Sequence, residues 1–156
     1  MLKKLENFLK DNKVKYEVVE HKVVYTAYDK ARTLKVPEKS IGKTLVVKLD
    51  KEISLVLIPA NKNLDKQKLK KLAKTKQIDF AKEAWMKKNL KGIKVGATPP
   101  FGNLYKLKTF IDRGLLANKS IVVSSGDYKS SLKLNPAIFK KVVSDLVIGS
   151  FSISKK

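Results

Sequence analysis

Residues 96–102 have the sequence Gly-Ala-Thr-Pro-Pro-Phe-Gly, and this segment restricts the local fold more than any other. Proline lacks a backbone N–H and fixes φ near −65°, so neither a helix interior nor a central strand tolerates the pair. Glycine permits positive φ and close approach of another group to the backbone. We therefore predict a stiff loop with exposed backbone N–H and C=O groups. Such a loop either binds a ligand or only connects two strands.

The length and composition predict one domain, residues 1–156. The chain is 43% hydrophobic, which is enough to bury a core. It has no cysteine, which excludes disulfides and thiolate metal sites. No run approaches the ~20 apolar residues of a membrane span, and the N-terminus is typical of an amphipathic helix rather than a signal peptide. We therefore expect a cytoplasmic protein that is not inserted in a membrane.

The charge is strongly unbalanced. There are 35 Lys and Arg residues against 14 Asp and Glu, giving a net charge of +21. Only Arg32 and Arg113 are arginine; lysine, a hydrated point charge, suits attraction to a phosphate backbone more than base reading. This balance favours a nucleic-acid partner. The alternative is that the excess reflects a generally lysine-rich composition.

Two apolar runs, 43–49 and 52–59, are separated by a polar pair and predict a β-hairpin in the middle of a sheet. Further strands are predicted at 14–19, 77–80, 104–111, 120–124, 130–134 and 147–153. Helices are predicted at 2–11, 26–34, 65–73, 81–90 and 135–143, with Thr26 and Asp65 as N-caps. Strands outnumber helices and follow one another closely. This order predicts an α+β fold, with a mixed, mostly antiparallel sheet or partial barrel and flanking helices.

The residue inventory limits the possible chemistry. One histidine, no cysteine and no carboxylate cluster at ligand spacing argue against a protein metal site. The chain has no nucleotide-binding fingerprint, and we expect no cofactor. It also lacks the Gly-x-Ser-x-Gly elbow of many serine hydrolases. His21 is either a general base or a surface or cap residue.

Lys43 directly follows Gly42 at the start of an apolar strand. Its side chain either extends to solvent or points into a cleft as a fixed cation suited to a phosphate or ester oxygen. The aromatic residues Phe8, Phe80 and Trp85 stand at spacings typical of core packing. We interpret them as packing residues.

Four segments carry a family resemblance in chain order. They are 16–21 with 25–27, 42–47, 96–102, and 122–126 with 131–134. Together they resemble the YbaK/ProX aminoacyl-tRNA deacylases, which share a domain with the editing insertion of bacterial prolyl-tRNA synthetases. The resemblance spans roughly residues 14–136.

The resemblance implies hydrolysis, in trans, of the ester that joins a wrong amino acid to the 3′ end of a tRNA. Its implied partners are mischarged tRNA and an aminoacyl-tRNA synthetase. The implied reaction needs no cofactor. By position, Lys43 would hold the terminal adenosine or its phosphate, and the Gly96 backbone would orient the ester carbonyl. Water or a substrate group would attack. The other implied substrate-binding residues are His21, Tyr25, Thr26, Ala97, Thr98, Pro99, Pro100, Phe101, Gly102, Ser124, Ser125, Gly126 and Ser131.

The chain departs from the family pattern at two places. Ser131 stands where some members carry an acidic residue, and 127–128 stand where others carry a histidine. A pocket lined by Ala97 and Thr98 favours a small acyl group, namely alanine, serine, threonine or cysteine, with tRNA for proline as one expected carrier. Two alternatives remain. One is an inert tRNA-binding or synthetase-associated module, and the other is a hydrolase of another small acyl or phosphate compound.

Overall fold

Mixed sheets with helices on their flanks make up the computed structural model, which describes residues 1–155. The helices are α1 Lys3–Asp11, α2 Ala27–Leu34, α3 Lys66–Ala73, α4 Glu83–Asn89, α5 Arg113–Leu116 and α6 Ile138–Val142. The strands are β1 Tyr16–Glu20, β2 Gly42–Leu49, β3 Glu52–Pro59, β4 Lys62–Leu64, β5 Ile78–Phe80, β6 Lys108–Asp112, β7 Ile121–Ser124, β8 Ser130–Leu134, β9 Val147–Gly149 and β10 Ser152–Ser154. The predicted α+β class is confirmed.

The β2–β3 hairpin is the centre of a five-stranded sheet with the order β5-β2-β3-β6-β9. Its strands pair antiparallel from Gly42 with Pro59 to Leu49 with Glu52. β3 pairs with β6 in parallel, as β6 does with β9, so the sheet is mixed. The central hairpin predicted from the two apolar runs is confirmed, because strands paired on both sides bury nearly every side chain of β3.

A second sheet, β1-β8-β7, is antiparallel throughout. It touches the central sheet through one isolated parallel bridge, between Ile41 and Val122. The start of β2 therefore lies beside β7. This junction positions the site described below.

Two helix N-caps follow the predicted pattern. The Thr26 hydroxyl accepts a hydrogen bond from the Asp29 N–H at 3.1 Å, and Asp65 accepts one from the Lys68 N–H at 3.0 Å. Each satisfies a backbone donor that the first helical turn leaves free. The Thr26 cap fixes the start of α2 and hence the direction of the side chains on its first turns. Within residues 1–155, no helix has the length and apolarity of a membrane span.

Three predictions about secondary structure and packing are wrong. Residues 104–111 are not one strand, because 102–104 form a 3₁₀ turn and β6 begins only at Lys108. Residues 147–153 form two strands in different sheets. The chain leaves the first strand before Phe151, because the side chain of Phe151 is fully buried and its N–H donates to Asp112 Oδ2 at 3.0 Å. Phe80 is not a core residue: it is 52% exposed and lies under the Lys66 ammonium, 5.0 Å from the ring centre.

The segment 96–102 differs from its predicted form. Gly96 is exposed, but residues 97–102 are buried, so the predicted exposure of backbone groups along the whole loop is wrong. Phe101 draws the segment into the core: its ring stacks on Phe139 with centres 5.2 Å apart, and Phe8 lies 5.6 Å away. Gly102 is required by packing, since a Cβ there would lie 2.0 Å from the Leu107 carbonyl oxygen.

Candidate functional site

A cavity of about 260 Å³ opens beside the junction of β2 and β7. Residues from α2, from β2, from the end of β7 and from the 96–102 segment line it. The lining residues are Val24, Tyr25, Thr26, Ala27, Lys30, Ile41, Gly42, Lys43, Thr44, Leu45, Gly96, Ala97, Ser124, Asp127 and Tyr128. Lys43, Tyr25 and Gly96 are exposed, whereas Lys30 and Thr44 are buried. The cavity therefore has a solvent-exposed mouth and a buried wall.

The glycine–proline segment is tied to the turn after β7. The Lys94 N–H donates to the Gly126 carbonyl at 2.8 Å, and the Tyr128 hydroxyl donates to the Val95 carbonyl. Gly96 follows with φ of +84°, a conformation that glycine adopts without strain. Among residues 1–155, no hydrogen bond is donated by the Gly96 N–H, which leaves this group open to a ligand at the cavity mouth.

Lys43 brings a cation to the mouth from the second position of β2. The residue as a whole is exposed, yet its surroundings withdraw the ammonium group partly from water, and this burial lowers its pKa. The positive charge of Lys155 lowers the pKa further. A partly desolvated cation attracts an anionic oxygen more strongly than a fully hydrated one.

Lys30 is a second lysine of the cavity, and the sequence patterns did not single it out. It lies on α2 and is 9% exposed, and its ammonium group forms no hydrogen bond or ion pair with any residue between 1 and 155. Burial lowers its pKa to about 8, against a smaller opposing effect of Asp127.

Asp127 is held rigidly at the same cavity. Its Oδ1 accepts hydrogen bonds from the N–H groups of Lys129 and Ser130, both at 2.9 Å, and from the Ser130 hydroxyl at 3.1 Å. Burial alone would raise its pKa, but these three hydrogen bonds, together with the positive charge of the N-terminus, lower it. The carboxylate is therefore ionised at neutral pH.

Thr44 contributes a hydroxyl without a partner. Its Oγ1 is buried and forms no hydrogen bond within residues 1–155, a state shared in that part of the chain only by Thr75. Buried polar groups are hydrogen-bonded in the great majority of cases, so this exception, in a residue that lines a cavity, calls for an explanation.

The structure brings together six of the residues expected at the site and leaves the others off the cavity. Those that line it are Tyr25, Thr26, Lys43, Gly96, Ala97 and Ser124. Those that do not are His21, Thr98, Pro99, Pro100, Phe101, Gly102, Ser125, Gly126 and Ser131. Of the lining residues that sequence reasoning did not select, Lys30, Thr44, Asp127 and Tyr128 carry polar groups.

The lining contains two cations, one carboxylate and several hydroxyls, but no histidine. It has no paired nucleophile and imidazole base, and within residues 1–155 no group of three or more His, Asp or Glu side chains is placed to hold a metal ion. The arrangement can bind an oxygen-rich ligand and stabilise negative charge that develops on it.

Comparison with known proteins defines the class. The model of the aminoacyl-tRNA editing domain family matches residues 21–142, which is most of the chain. The chain belongs to this family. The match contains the whole lining of the cavity.

Solved structures show the same fold at low sequence identity. The hypothetical protein APE2540 has a TM-score of 0.87 at 24% identity, over 97% of this chain and 100% of that one. A proposed trans-editing enzyme for prolyl-tRNA synthetase has a TM-score of 0.83 at 20% identity, over 97% of this chain and 96% of that one. No curated protein sequence matches the chain.

Proposed function

We propose that this protein is a trans-editing deacylase, which hydrolyses the ester between a wrongly attached amino acid and the 3′ end of a tRNA. Membership of the aminoacyl-tRNA editing domain family supports the substrate class. The observation that carries the proposal is that Lys43 and the open backbone of Gly96 face one cavity, although they are 53 residues apart in the chain.

In the proposed reaction, Lys43 holds the terminal adenosine or its phosphate at the cavity mouth. The Gly96 N–H donates to the ester carbonyl oxygen, which gains negative charge as the tetrahedral intermediate forms. Water attacks the carbonyl carbon, the ester C–O bond breaks, and the electron pair leaves on the ribose oxygen, which takes up the proton that the attacking water releases. Catalysis here depends on positioning and on fixed charge rather than on a side-chain nucleophile.

The cavity suits a small acyl group. Its volume of about 260 Å³ must hold the acyl group together with part of the terminal nucleotide. Ala97 and Ser124, both buried, present small side chains to it. We propose alanine, serine, threonine or cysteine as the amino acid removed, with tRNA for proline among the carriers. The solved trans-editing neighbour is described as acting for prolyl-tRNA synthetase, which supports tRNA for proline as a carrier.

The net charge of +21 gives this activity a means of holding tRNA. Lysine–phosphate contacts position a nucleic acid without reading its sequence, so discrimination among tRNAs falls to the acceptor end or to an associated synthetase. The cytoplasm, where aminoacyl-tRNA is made and used, is the proposed location.

The test is a panel of tRNAs charged with alanine, cysteine, serine or threonine, incubated with the wild-type protein, Lys43→Met and Lys48→Met. Lys48 is an exposed lysine of the same strand outside the cavity, so its variant controls for the loss of one charge. We expect hydrolysis of at least one ester by the wild type and by Lys48→Met, and its loss in Lys43→Met with an unchanged circular dichroism spectrum. Binding without hydrolysis across the panel would instead indicate an inert tRNA-binding module.

A further inference from the structure

Lys30 is a largely buried lysine that the proposed reaction does not use. Lysine is almost never buried without a partner, because removing an ammonium from water is costly. Lys30 is nevertheless 9% exposed and lines the cavity, and its ammonium group has no hydrogen-bonding or ion-pairing partner between residues 1 and 155. A fold that positions such a group against a cavity is prepared for a ligand that neutralises it.

The charges that face Lys30 leave the cavity positive. Asp127 is the one carboxylate in the lining, and its Oδ1 already accepts three hydrogen bonds. Its Oδ2 lies 4.0 Å from the N-terminal ammonium of Met1. Lys43 adds a second cation at the mouth. The lining therefore carries two ammonium groups and a single carboxylate that is also engaged elsewhere, which favours an anionic ligand.

Thr44 is the second, independent observation. Its Oγ1 is buried and unpartnered, and the residue is 9% exposed and lines the same cavity. A hydroxyl can donate to an anionic oxygen while that oxygen also accepts from an ammonium group. The Thr44 hydroxyl is shielded from solvent in this structure, so a ligand oxygen reaches it only if the side chains that cover it move. An oxygen bound there beside Lys30 would satisfy the hydroxyl and the charge together.

We propose that Lys30 and Thr44 form a binding subsite for an anionic oxygen group of the substrate, separate from the cation at Lys43. This inference rests on the proposed function for its choice of substrate. An aminoacyl-tRNA offers two groups of this chemistry near the ester. One is the phosphate on the 5′ side of the terminal adenosine, in which case Lys43 contacts the adenosine itself. The other is a carboxylate on the side chain of an acidic amino acid, which would replace the small neutral amino acids proposed above.

Binding of stable compounds tests the subsite without requiring turnover. One pair is adenosine 5′-monophosphate and adenosine, which differ by the phosphate. The other pair is 3′-amino-3′-deoxyadenosine coupled through an amide to aspartate or to asparagine, which differ by one carboxylate. Isothermal titration gives Kd values for the wild type, Lys30→Met, Lys30→Arg and the control Lys48→Met.

We expect the wild type to prefer the anionic member of one pair by about ten-fold, the size of a charge-assisted hydrogen bond. The pair that shows the preference identifies the source of the anion. Lys30→Met should abolish the preference, whereas Lys30→Arg and Lys48→Met should keep most of it. Thr44→Val should reduce it, and this variant tests the subsite even if Lys30→Met does not fold.

Two results would overturn the subsite: no preference in either pair, or a preference that survives in both Lys30→Met and Thr44→Val. Failure of the deacylase proposal looks different. In that case no ester of the tRNA panel is hydrolysed, while a Lys30-dependent preference for one of the anionic compounds still measures the subsite.

Discussion

The imidazole Nε2 of His21 lies 3.0 Å from the hydroxyl oxygen of Ser131. The other ring nitrogen, Nδ1, lies 2.8 Å from the carbonyl oxygen of Lys22. A carbonyl only accepts, so Nδ1 carries the hydrogen, and in the neutral ring Nε2 accepts from Ser131. The pair resembles a nucleophile with its base, but Ser131 is fully buried and neither residue lines the cavity. The hydrogen bond therefore joins the end of β1 to β8.

This geometry predicts that His21→Ala and Ser131→Ala affect stability rather than catalysis. Each should lower the free energy of unfolding by about 1 kcal/mol, the usual net contribution of a hydrogen bond, measured by urea unfolding. The deacylation rate should stay within about three-fold of wild type. A general base contributes about 10²-fold or more, so a loss of that size in His21→Ala, with an unchanged fold, would assign His21 to the reaction.

Lys30→Met should stabilise the protein at neutral pH. The pKa of Lys30 falls from 10.5 to about 8 on folding, because burial penalises the charged form. Below pH 8 the group is protonated in both states, and folding carries the full penalty, roughly 3 kcal/mol. Between pH 8 and 10.5 the unfolded chain binds more protons than the folded one, so this contribution to stability rises with pH.

The measurement is the difference in free energy of unfolding between Lys30→Met and wild type, taken from pH 7 to pH 10.5. Taking the difference cancels the titration of groups common to both proteins. The difference should be largest near pH 7 and shrink toward pH 10.5. A difference that is constant across this range would show that Lys30 is not desolvated.

Thr44→Val should leave the fold at least as stable as wild type. The substitution removes a buried hydroxyl that has no partner and keeps a β-branched side chain of similar volume. Relief of an unsatisfied polar group contributes roughly 1 kcal/mol or more, measurable as a higher Tm. A marked loss of stability would mean that Thr44 Oγ1 is hydrogen-bonded in solution.

The two glycines that bracket the 96–102 segment should respond differently to alanine. At Gly102 a Cβ would lie 2.0 Å from the Leu107 carbonyl oxygen and 2.5 Å from Thr109 Oγ1, so Gly102→Ala should prevent normal folding. At Gly96 a Cβ would meet nothing within 4 Å, and only its φ of +84° disfavours alanine, by roughly 1 kcal/mol.

Expression and thermal unfolding of both variants check this contrast. Gly96→Ala should fold with a modestly lower Tm, whereas Gly102→Ala should be insoluble or lack a cooperative transition. Because Gly96→Ala keeps its fold, its deacylation rate then measures how far the reaction depends on the backbone conformation at this position. A stable Gly102→Ala would contradict the packing at the 3₁₀ turn.

The sequence predicts the centre of the five-stranded sheet and the residues at the cavity mouth better than it predicts the buried wall of the cavity. The β2–β3 hairpin is recognisable because its apolar runs have no competing periodicity, and Thr26 and Asp65 are recognisable because a cap is a local interaction. Lys30 is not recognisable, since a lysine on an amphipathic helix normally reaches solvent. The cavity that it lines is completed by Gly96, Ala97 and Asp127, which are distant in sequence.

The same physics explains why the 96–102 segment was only partly predicted. Its two prolines and two glycines indicate a loop from local conformational rules alone. Its burial depends on contacts of Phe101 with Phe8 and Phe139, which lie on elements at the two ends of the chain. A sequence pattern therefore identifies the loop but not which of its residues faces the ligand.

Binding of tRNA should weaken steeply with salt if the lysine excess serves this function. Each lysine–phosphate contact releases a counterion, so the affinity falls as a power of the salt concentration. With a net charge of +21, we expect the Kd for tRNA to rise by about ten-fold or more between 50 and 200 mM salt. Fluorescence anisotropy of labelled tRNA measures this change.

Binding of adenosine alone, which carries no phosphate, is the control and should change little. A flat profile for tRNA would show that the lysine content reflects composition rather than binding.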